Sequence, residues 1–335
     1  MANRFKIAIG ARKQTRPPEK MQSSLNSPNM IICPACRMCG ETSAIRDLGP
    51  LPDSNHFAGT HHREKFKGGS LYSCLSCDSM QRHPVYSEDE YLKWYGQGSS
   101  EIWSGSKPRV DNGIISGFVA TQPSIEKVLD IGCNCGDLLS QMPHQVKTFG
   151  IEPSEEARRV ANGRGIQIVA GDISELEDTE TFDCITAVDL IEHVGEPKQL
   201  FKKMLEHTKP SGFIIISTGN PSAKIWRNFL KNRFWYSSFA EHISFPSAKA
   251  LEIWSKQNGA ELVHLNNFKY SENSILKTFY QAVMQATFYI SMPVHRFVVN
   301  KLMGQVKPAF KDFEYFVPCS GLFRDHQIVI IQKTI

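Results

Sequence analysis

Residues able to do chemistry fall in three places along the chain. The first is the run Val128-Leu-Asp-Ile-Gly-Cys-Asn-Cys-Gly-Asp137, followed 20 residues after Gly132 by Glu152 in Phe149-Gly-Ile-Glu-Pro153. An apolar strand entering a tight turn of small residues lets the backbone approach a ligand closely, and an acid closing the next strand sits where a ribose diol would be held. The second is Asp189-Leu-Ile-Glu192-His193 together with Glu241-His242. Histidines titrate near neutral pH and can take a proton from an acceptor group. The third is a pair of Cys-x-x-Cys knuckles, Cys36/Cys39 and Cys74/Cys77, separated by 34 residues.

The first turn carries Gly132, Asn134 and Gly136, all tolerant of left-handed backbone. A dinucleotide fold would prefer glycines at 132, 134 and 137, where this chain has Asn134 and Asp137. The glycine that lets a helix pack close to a pyrophosphate is missing, and an acid there would repel phosphate. Both features favour a cationic, phosphate-free nucleoside such as S-adenosylmethionine over NAD.

The two knuckles can each turn both sulfurs toward one cation at about 2.3 Å, and together they complete a tetrahedron. Gly40 follows the first pair and can turn the backbone around the sulfur. Cys33 offers an alternative register, Cys33/Cys36. A four-iron cluster would want a cysteine near position 43, where Ser43 stands. The expected group is therefore a closed, structural Zn2+ on Cys36, Cys39, Cys74 and Cys77, with no open position to activate water. Such a site would supply on the order of 10 kcal/mol to a segment with little core of its own. His61 and His62 between the pairs read as loop residues.

At 335 residues the chain can bury a full α/β core and carry a smaller module as well. Six bases against Glu19 give residues 1–30 a net +5, more than the whole chain's +4, so the remainder carries −1 and nucleic-acid binding has no electrostatic support. The basic leader reads as disordered and lacks the apolar core of a secretory signal. With no export signal, the nine cysteines point to metal binding in a cytoplasmic protein. Residues 31–105 are loop-rich and need a staple. From 106 to 335 strand and helix alternate. Strands are expected at Lys127–Ile131, Lys147–Ile151, Ile166–Val169, Phe182–Val188, Phe213–Thr218, Glu261–Leu265 and Gln327–Gln332. Helices are expected near Asp137–Met142, Ser154–Asn162, Pro197–Glu206 and Ser247–Gln257. That pattern is an α/β, Rossmann-like fold with a parallel sheet covered on both faces. An insertion at about 266–326, including the aromatic stretch Ile275–Met292, should form helices over the sheet edge. Lys277, Arg296, Lys301 and Lys307 near it would suit peripheral contact with an anionic membrane surface or a lipid-linked sugar.

Val128–Leu139, Glu152, Gly171-Asp172-Ile173 and Phe182–Val194 resemble the successive motifs of class I S-adenosylmethionine-dependent methyltransferases. The resemblance implies a mostly parallel seven-stranded sheet with the last strand antiparallel. It also implies that Asp130, Gly132 and Asn134 contact the amino acid part of the cofactor, Glu152 the ribose hydroxyls, and Asp172 with Ile173 the adenine, with Gly136 and Asp189 in the same cleft. Cys36–Gly40, Leu51–Phe57, Tyr72–Cys77 and Glu88–Tyr95 are similar to the zinc-binding amino-terminal domain of sugar C-methyltransferases and related polysaccharide-pathway enzymes. In that group a Tyr-His-Glu-His cluster is expected where this chain reads Phe239-Ala240-Glu241-His242, which leaves carbon and oxygen methylation both open.

The expected function is methyl transfer from S-adenosylmethionine to a small-molecule, sugar-containing or polysaccharide-pathway intermediate, with His242, His193 and Glu241 as proton-handling residues. Asp189, Glu192 and His193 also resemble the acid-x-x-Glu-His metal site of quinone-pathway O-methyltransferases, which gives a metal-assisted alternative. A degenerate, non-catalytic binding module is a third.

Overall fold

The computed structural model describes residues 34–58, 60–95, 109–270, 275–303 and 322–334. The basic leader, Cys33 and Lys307 lie outside the described residues.

The amino-terminal part is richer in strands than its loop-like composition suggests. It runs β1 (Ile45–Pro50), β2 (Ser54–Phe57), β3 (Thr60–Phe66), β4 (Ser70–Cys74), β5 (Met80–His83) and α1 (Glu88–Tyr95). Next come α2 (Val110–Ala120), β6 (Lys127–Ile131), β7 (Lys147–Ile151), α3 (Glu155–Gly163), β8 (Gln167–Ala170), β9 (Phe182–Val188), α4 (Pro197–His207) and β10 (Thr208–Gly219). The chain continues through α5 (Trp235–Ser238), β11 (Ser244–Phe245), α6 (Ala248–Gln257), β12 (Ala260–Phe268), α7 (Ile275–Ile290), α8 (Met292–Phe297) and β13 (His326–Lys333).

Seven strands form the main sheet in the order β12-β13-β10-β9-β6-β7-β8. β13 runs antiparallel to both β10 and β12, while β6 to β10 pair in parallel. The order reverses at β6, since the chain leaves it for β7 and β8 and returns to β9 on the other side. The strand carboxyl ends part there, which is where open α/β sheets hold ligands. Alternate residues of each strand feed opposite faces. Ile214, Ile216, Val329 and Ile331 join Leu200, Phe201, Met204, Leu251 and Trp254 of α4 and α6. Phe213, Ile215, Ile328 and Ile330 join Ile115 and Val119 of α2. Ser154 and Ser247 cap α3 and α6, accepting from the N–H of Ala157 (3.3 Å) and of Ala250 (3.0 Å).

Two expectations are corrected. The helix near Asp137–Met142 is a single 3-10 turn, Leu139–Gln141, because Pro143 follows too closely for a second turn. β10 starts at Thr208, with a register break across Lys209–Gly212 that reads as a turn in sequence. The described part of the inserted helices packs on the amino-terminal segment and the 226–236 stretch. Met284, Phe288 and Val299 join Leu51, Leu71, Trp226, Phe234, Trp235 and Tyr236 in a separate apolar cluster. The other side of α7 leaves Ile275, Leu276, Phe279 and Ile290 exposed. Among the described residues no helix is long and apolar enough to cross a membrane.

The four-stranded sheet β1-β4-β5-β11 takes its last strand from beyond residue 105: Ser244 pairs with Gln81 and Phe245 with Met80. One hydrogen-bonded ladder thus runs from the cysteine segment into the segment carrying His242.

Candidate functional site

At the end of β6, Gly132 (φ 73°), Asn134 (φ 48°) and Gly136 (φ 80°) take left-handed backbone, as their residue types suggest. A Cβ at Gly136 would stand 1.9 Å from Ile166 Cδ1, so the end of the buried Ile166 side chain would have to move to admit it. Gly132 and Cys133 donate their N–H groups to the Ile151 carbonyl (2.8 and 3.1 Å), tying the turn to the end of β7. Glu152 follows directly. Its Oε2 accepts from Asn134 N (2.9 Å) and its Oε1 from Ser154 N (2.8 Å), and burial pushes its pKa up. The carboxylate is fixed at the mouth of the turn, with the buried Asn134 Oδ1 beside it lacking a partner among the described residues.

Asp130 lies below the turn, buried, accepting from Thr186 Oγ1 (2.6 Å), and burial raises it to about 7. Beyond β8, Asp172 accepts from Ser174 N (2.8 Å) and starts the turn Ile173–Glu175, while Ile173 is buried. Asp137 is paired with Arg164. That pairing weakens the charge part of the case against a phosphate ligand and leaves the missing glycine as its main support.

Asp189 sits just past β9 at φ 46°. Arg109 Nη2 reaches its Oδ2 at 2.7 Å and also holds Asp111, which accepts from Ser217 Oγ at 3.1 Å. The Tyr270 hydroxyl approaches Asp189 at 3.4 Å, and the Arg109 guanidinium stands 5.5 Å from the Tyr270 ring centre. Sequence reasoning missed Arg109, Asp111 and Tyr270. An Arg-x-Asp ahead of an apolar helix was the only signal, and it is weak.

The histidines come together. Their rings meet edge to face at 4.7 Å. His193 Nδ1 bonds the Tyr95 hydroxyl at 2.9 Å, so α1 of the cysteine segment supplies a site residue. His242 Nδ1 lies 2.7 Å from the Tyr236 carbonyl, which assigns the proton to Nδ1 and leaves Nε2 as the lone pair. Glu192 accepts from Thr218 Oγ1 (2.9 Å) and from the Tyr236 hydroxyl. Glu241 Oε1 accepts from Ala58 N at 3.0 Å, while its Oε2 is buried without a partner among the described residues.

Burial dominates the electrostatics here. It lowers His193 to about 4 and His242 well below its ordinary value, and it raises Glu241 to about 7 and Glu192 to about 8. The expectation of a base near neutral pKa is therefore corrected: both imidazoles are neutral over the working range. A second correction concerns metal. Ligand atoms of Glu192, His193 and His242 lie within 4.8 Å of one another, whereas Asp189 turns to Arg109. Glu192 accepts a hydrogen bond at each oxygen and His193 uses Nδ1, which leaves the remaining carboxylate lone pairs and the Nε2 atoms of His193 and His242 for a cation. Phe234, Trp235 and Tyr236, which lead into this segment, are buried in the apolar cluster around Trp226.

The four cysteines converge. Cys36 and Cys77 sulfurs are 3.7 Å apart, those of Cys39 and Cys74 are 3.5 Å apart, and all four lie within 4.8 Å. Tetrahedral ligands at about 2.3 Å from a centre stand about 3.8 Å apart, so the set could hold one closed cation. The knuckles match: the Cys36 carbonyl accepts from Gly40 N and the Cys74 carbonyl from Asp78 N, with Gly40 (φ 78°) and Asp78 (φ 63°) both left-handed. His62 packs on Phe57 and Phe66 instead.

Comparison with known proteins agrees with the β6 turn. Residues 111–265 match the model of a family described as a methyltransferase domain. The ubiquinone biosynthesis O-methyltransferase of Idiomarina loihiensis is 34% identical over 110 residues, 30% of this chain and 45% of that protein. The corresponding enzyme of Leptothrix cholodnii is 23% identical over 160 residues, covering 43% of this chain and 68% of the relative. The chain thus spans less than half the length of the first of these. Among solved structures, coclaurine N-methyltransferase bound to N-methylheliamine and SAH aligns with TM-score 0.44 and 17% identity, over 67% of this chain and 72% of that one. With its sheet order, its β6 turn and the match over residues 111–265, the chain carries a class I, Rossmann-like methyltransferase domain.

Proposed function

We propose that this protein transfers the methyl group of S-adenosylmethionine to a hydroxyl of a small aromatic acceptor of the quinone-precursor type. The carrying observation is the buried Glu152, held by two backbone N–H groups at the mouth of the left-handed turn. Glu152 takes the ribose hydroxyls, Asp130, Gly132, Asn134 and Gly136 shape the pocket for the amino acid part, and Asp172 with Ile173 flanks the adenine. Asp189, with Arg109, closes the cleft on the β9 side.

Methyl transfer is an in-line displacement on a sulfonium, and orientation in a dry site is worth roughly 7–11 kcal/mol. The acceptor hydroxyl must lose a proton as its oxygen forms the bond to carbon, with the sulfur taking the electron pair of the breaking bond. That proton becomes strongly acidic as the oxygen gains the methyl carbon, so the neutral His242, although its pKa is lowered by burial, receives it at Nε2, with its Nδ1–H anchored on the Tyr236 carbonyl. His193 borders His242 edge-on at 4.7 Å, and the neighbouring Glu241 is held by the Ala58 N–H. The chemistry of the relatives, O-methyl transfer in ubiquinone biosynthesis, supports a hydroxyl acceptor. Cys36, Cys39, Cys74 and Cys77 hold a structural Zn2+ that stiffens the amino-terminal segment and stands outside the reaction.

A sugar or polysaccharide-pathway acceptor is the second reading. One observation favours it: the cysteine segment, similar to that of sugar methyltransferases, lends Tyr95 to the histidine pair. The test is methyl-labelled S-adenosylmethionine with 3,4-dihydroxybenzoate in one vessel and UDP-glucose in another. Label on a phenolic oxygen is expected; label on the sugar alone would overturn the first reading. Activity abolished by EDTA and restored by Mg2+ after the Zn2+ content is shown unchanged would favour metal assistance at Glu192 and His193.

A further inference from the structure

Arg82 on β5 is 2% exposed, and no carboxylate pairs with it among the described residues. Its guanidinium donates to four backbone carbonyls: Nε to His242 (3.1 Å), Nη1 to Gly68 (2.6 Å), and Nη2 to Ser237 (2.8 Å) and Phe239 (2.7 Å). Its backbone N–H reaches the Ile243 carbonyl at 3.0 Å. Three of those side-chain acceptors belong to the segment 237–242, which ends in Glu241 and His242. Without the guanidinium the Gly68, Ser237 and His242 carbonyls would lose this donor, while the Phe239 carbonyl would keep the His242 N–H at 3.1 Å.

We propose that Arg82 is a positioning residue of the candidate active site, a clamp from the cysteine segment that sets the backbone carrying Glu241 and His242. The fork of five N–H donors explains the residue type, since lysine offers three donors from a single point and cannot span four carbonyls. One end of the clamp is itself fixed. β5 pairs with β4 on one side and β11 on the other, and the Cys77 carbonyl and Ser79 hydroxyl bind Ser247 at the start of α6. The cysteine segment therefore completes the site through Arg82 as well as through Tyr95. Burial lowers Arg82 only to about 10, so it stays charged at neutral pH.

This inference rests on the reading of His242 as the proton acceptor, and its test separates the two. In Arg82→Lys, kcat with the methylated acceptor should fall about a hundredfold, the loss expected when a reacting group is misplaced by about 1 Å. KM for the acceptor and the affinity for S-adenosylhomocysteine should hold, because the cofactor cleft lies on β6–β8. Hydrogen exchange over residues 234–245 should quicken, with β6–β8 unchanged, and that measurement needs no acceptor. Wild-type kcat with wild-type exchange would overturn the clamp, as would parallel loss of kcat and cofactor binding. Should the variant fail to fold, nitrogen-resolved spectra of the wild-type arginine side chains decide. Separate, slowly exchanging Nη protons for Arg82 are expected, and averaged, fast-exchanging ones would overturn it.

Discussion

Glu152→Gln is the sharpest perturbation of the cofactor cleft, because it keeps the shape and removes the charge. The wild-type carboxylate accepts from Asn134 N at 2.9 Å and Ser154 N at 2.8 Å, using both oxygens, with lone pairs left for a ribose diol. Glutamine has one oxygen, so its NH2 must face one of those N–H groups or turn toward the ribose, and a buried donor loses its partner either way. A hydrogen bond to a charged group is worth about 1.5–3 kcal/mol, which predicts roughly ten- to hundredfold weaker binding of S-adenosylhomocysteine. Isothermal calorimetry on both proteins reads this directly, with thermal unfolding checked to exclude global damage. Equal affinity in the variant would refute the reasoning, since it would mean that the diol is held elsewhere.

Further outcomes follow from other parts of the structure. Cys74→Ser should lose the metal, from about one equivalent of Zn2+ by elemental analysis to none, because a closed site needs all four thiolates; unchanged metal would overturn the ligand set. Gly136→Ala places a Cβ 1.9 Å from Ile166 Cδ1 at φ 80°, so a loss of about 1–3 kcal/mol is expected from the drop in melting temperature. Glu192 and Glu241 are raised to about 8 and 7, and a raised carboxyl gives stability that is complete below its unfolded value and is lost as pH rises through the folded one. His193, lowered to about 4, acts oppositely but only below about 6.5. Melting temperature should therefore fall between about pH 6.5 and 8.5, and Glu192→Gln should flatten that slope.

Much of the main sheet was legible in sequence, because β6, β7 and β9 are short apolar runs with sharp ends, and Ser154 and Ser247 announce their helices. The Gly132-x-Asn134-x-Gly136 turn was legible for the same reason: left-handed backbone restricts residue type. The amino-terminal strands were not, since Ser, His and charged residues in β1 to β5 lack a clean alternation. Arg82 stands in the polar run Gln-Arg-His-Pro, and nothing there says that four carbonyls from distant segments will surround it. Arg109 and Tyr270 flank Asp189 from opposite ends of the matched domain for similar reasons. The histidines were found by type, yet their low pKa values come from burial that only the packed chain reveals.

The central claim is that the β6–β7 cleft binds S-adenosylmethionine and no dinucleotide. Parallel calorimetric titration of the wild-type protein with S-adenosylhomocysteine and NADH tests it most directly. Saturable binding of the first with silence from the second is the expected result, and NADH binding, or silence from both, would contradict it.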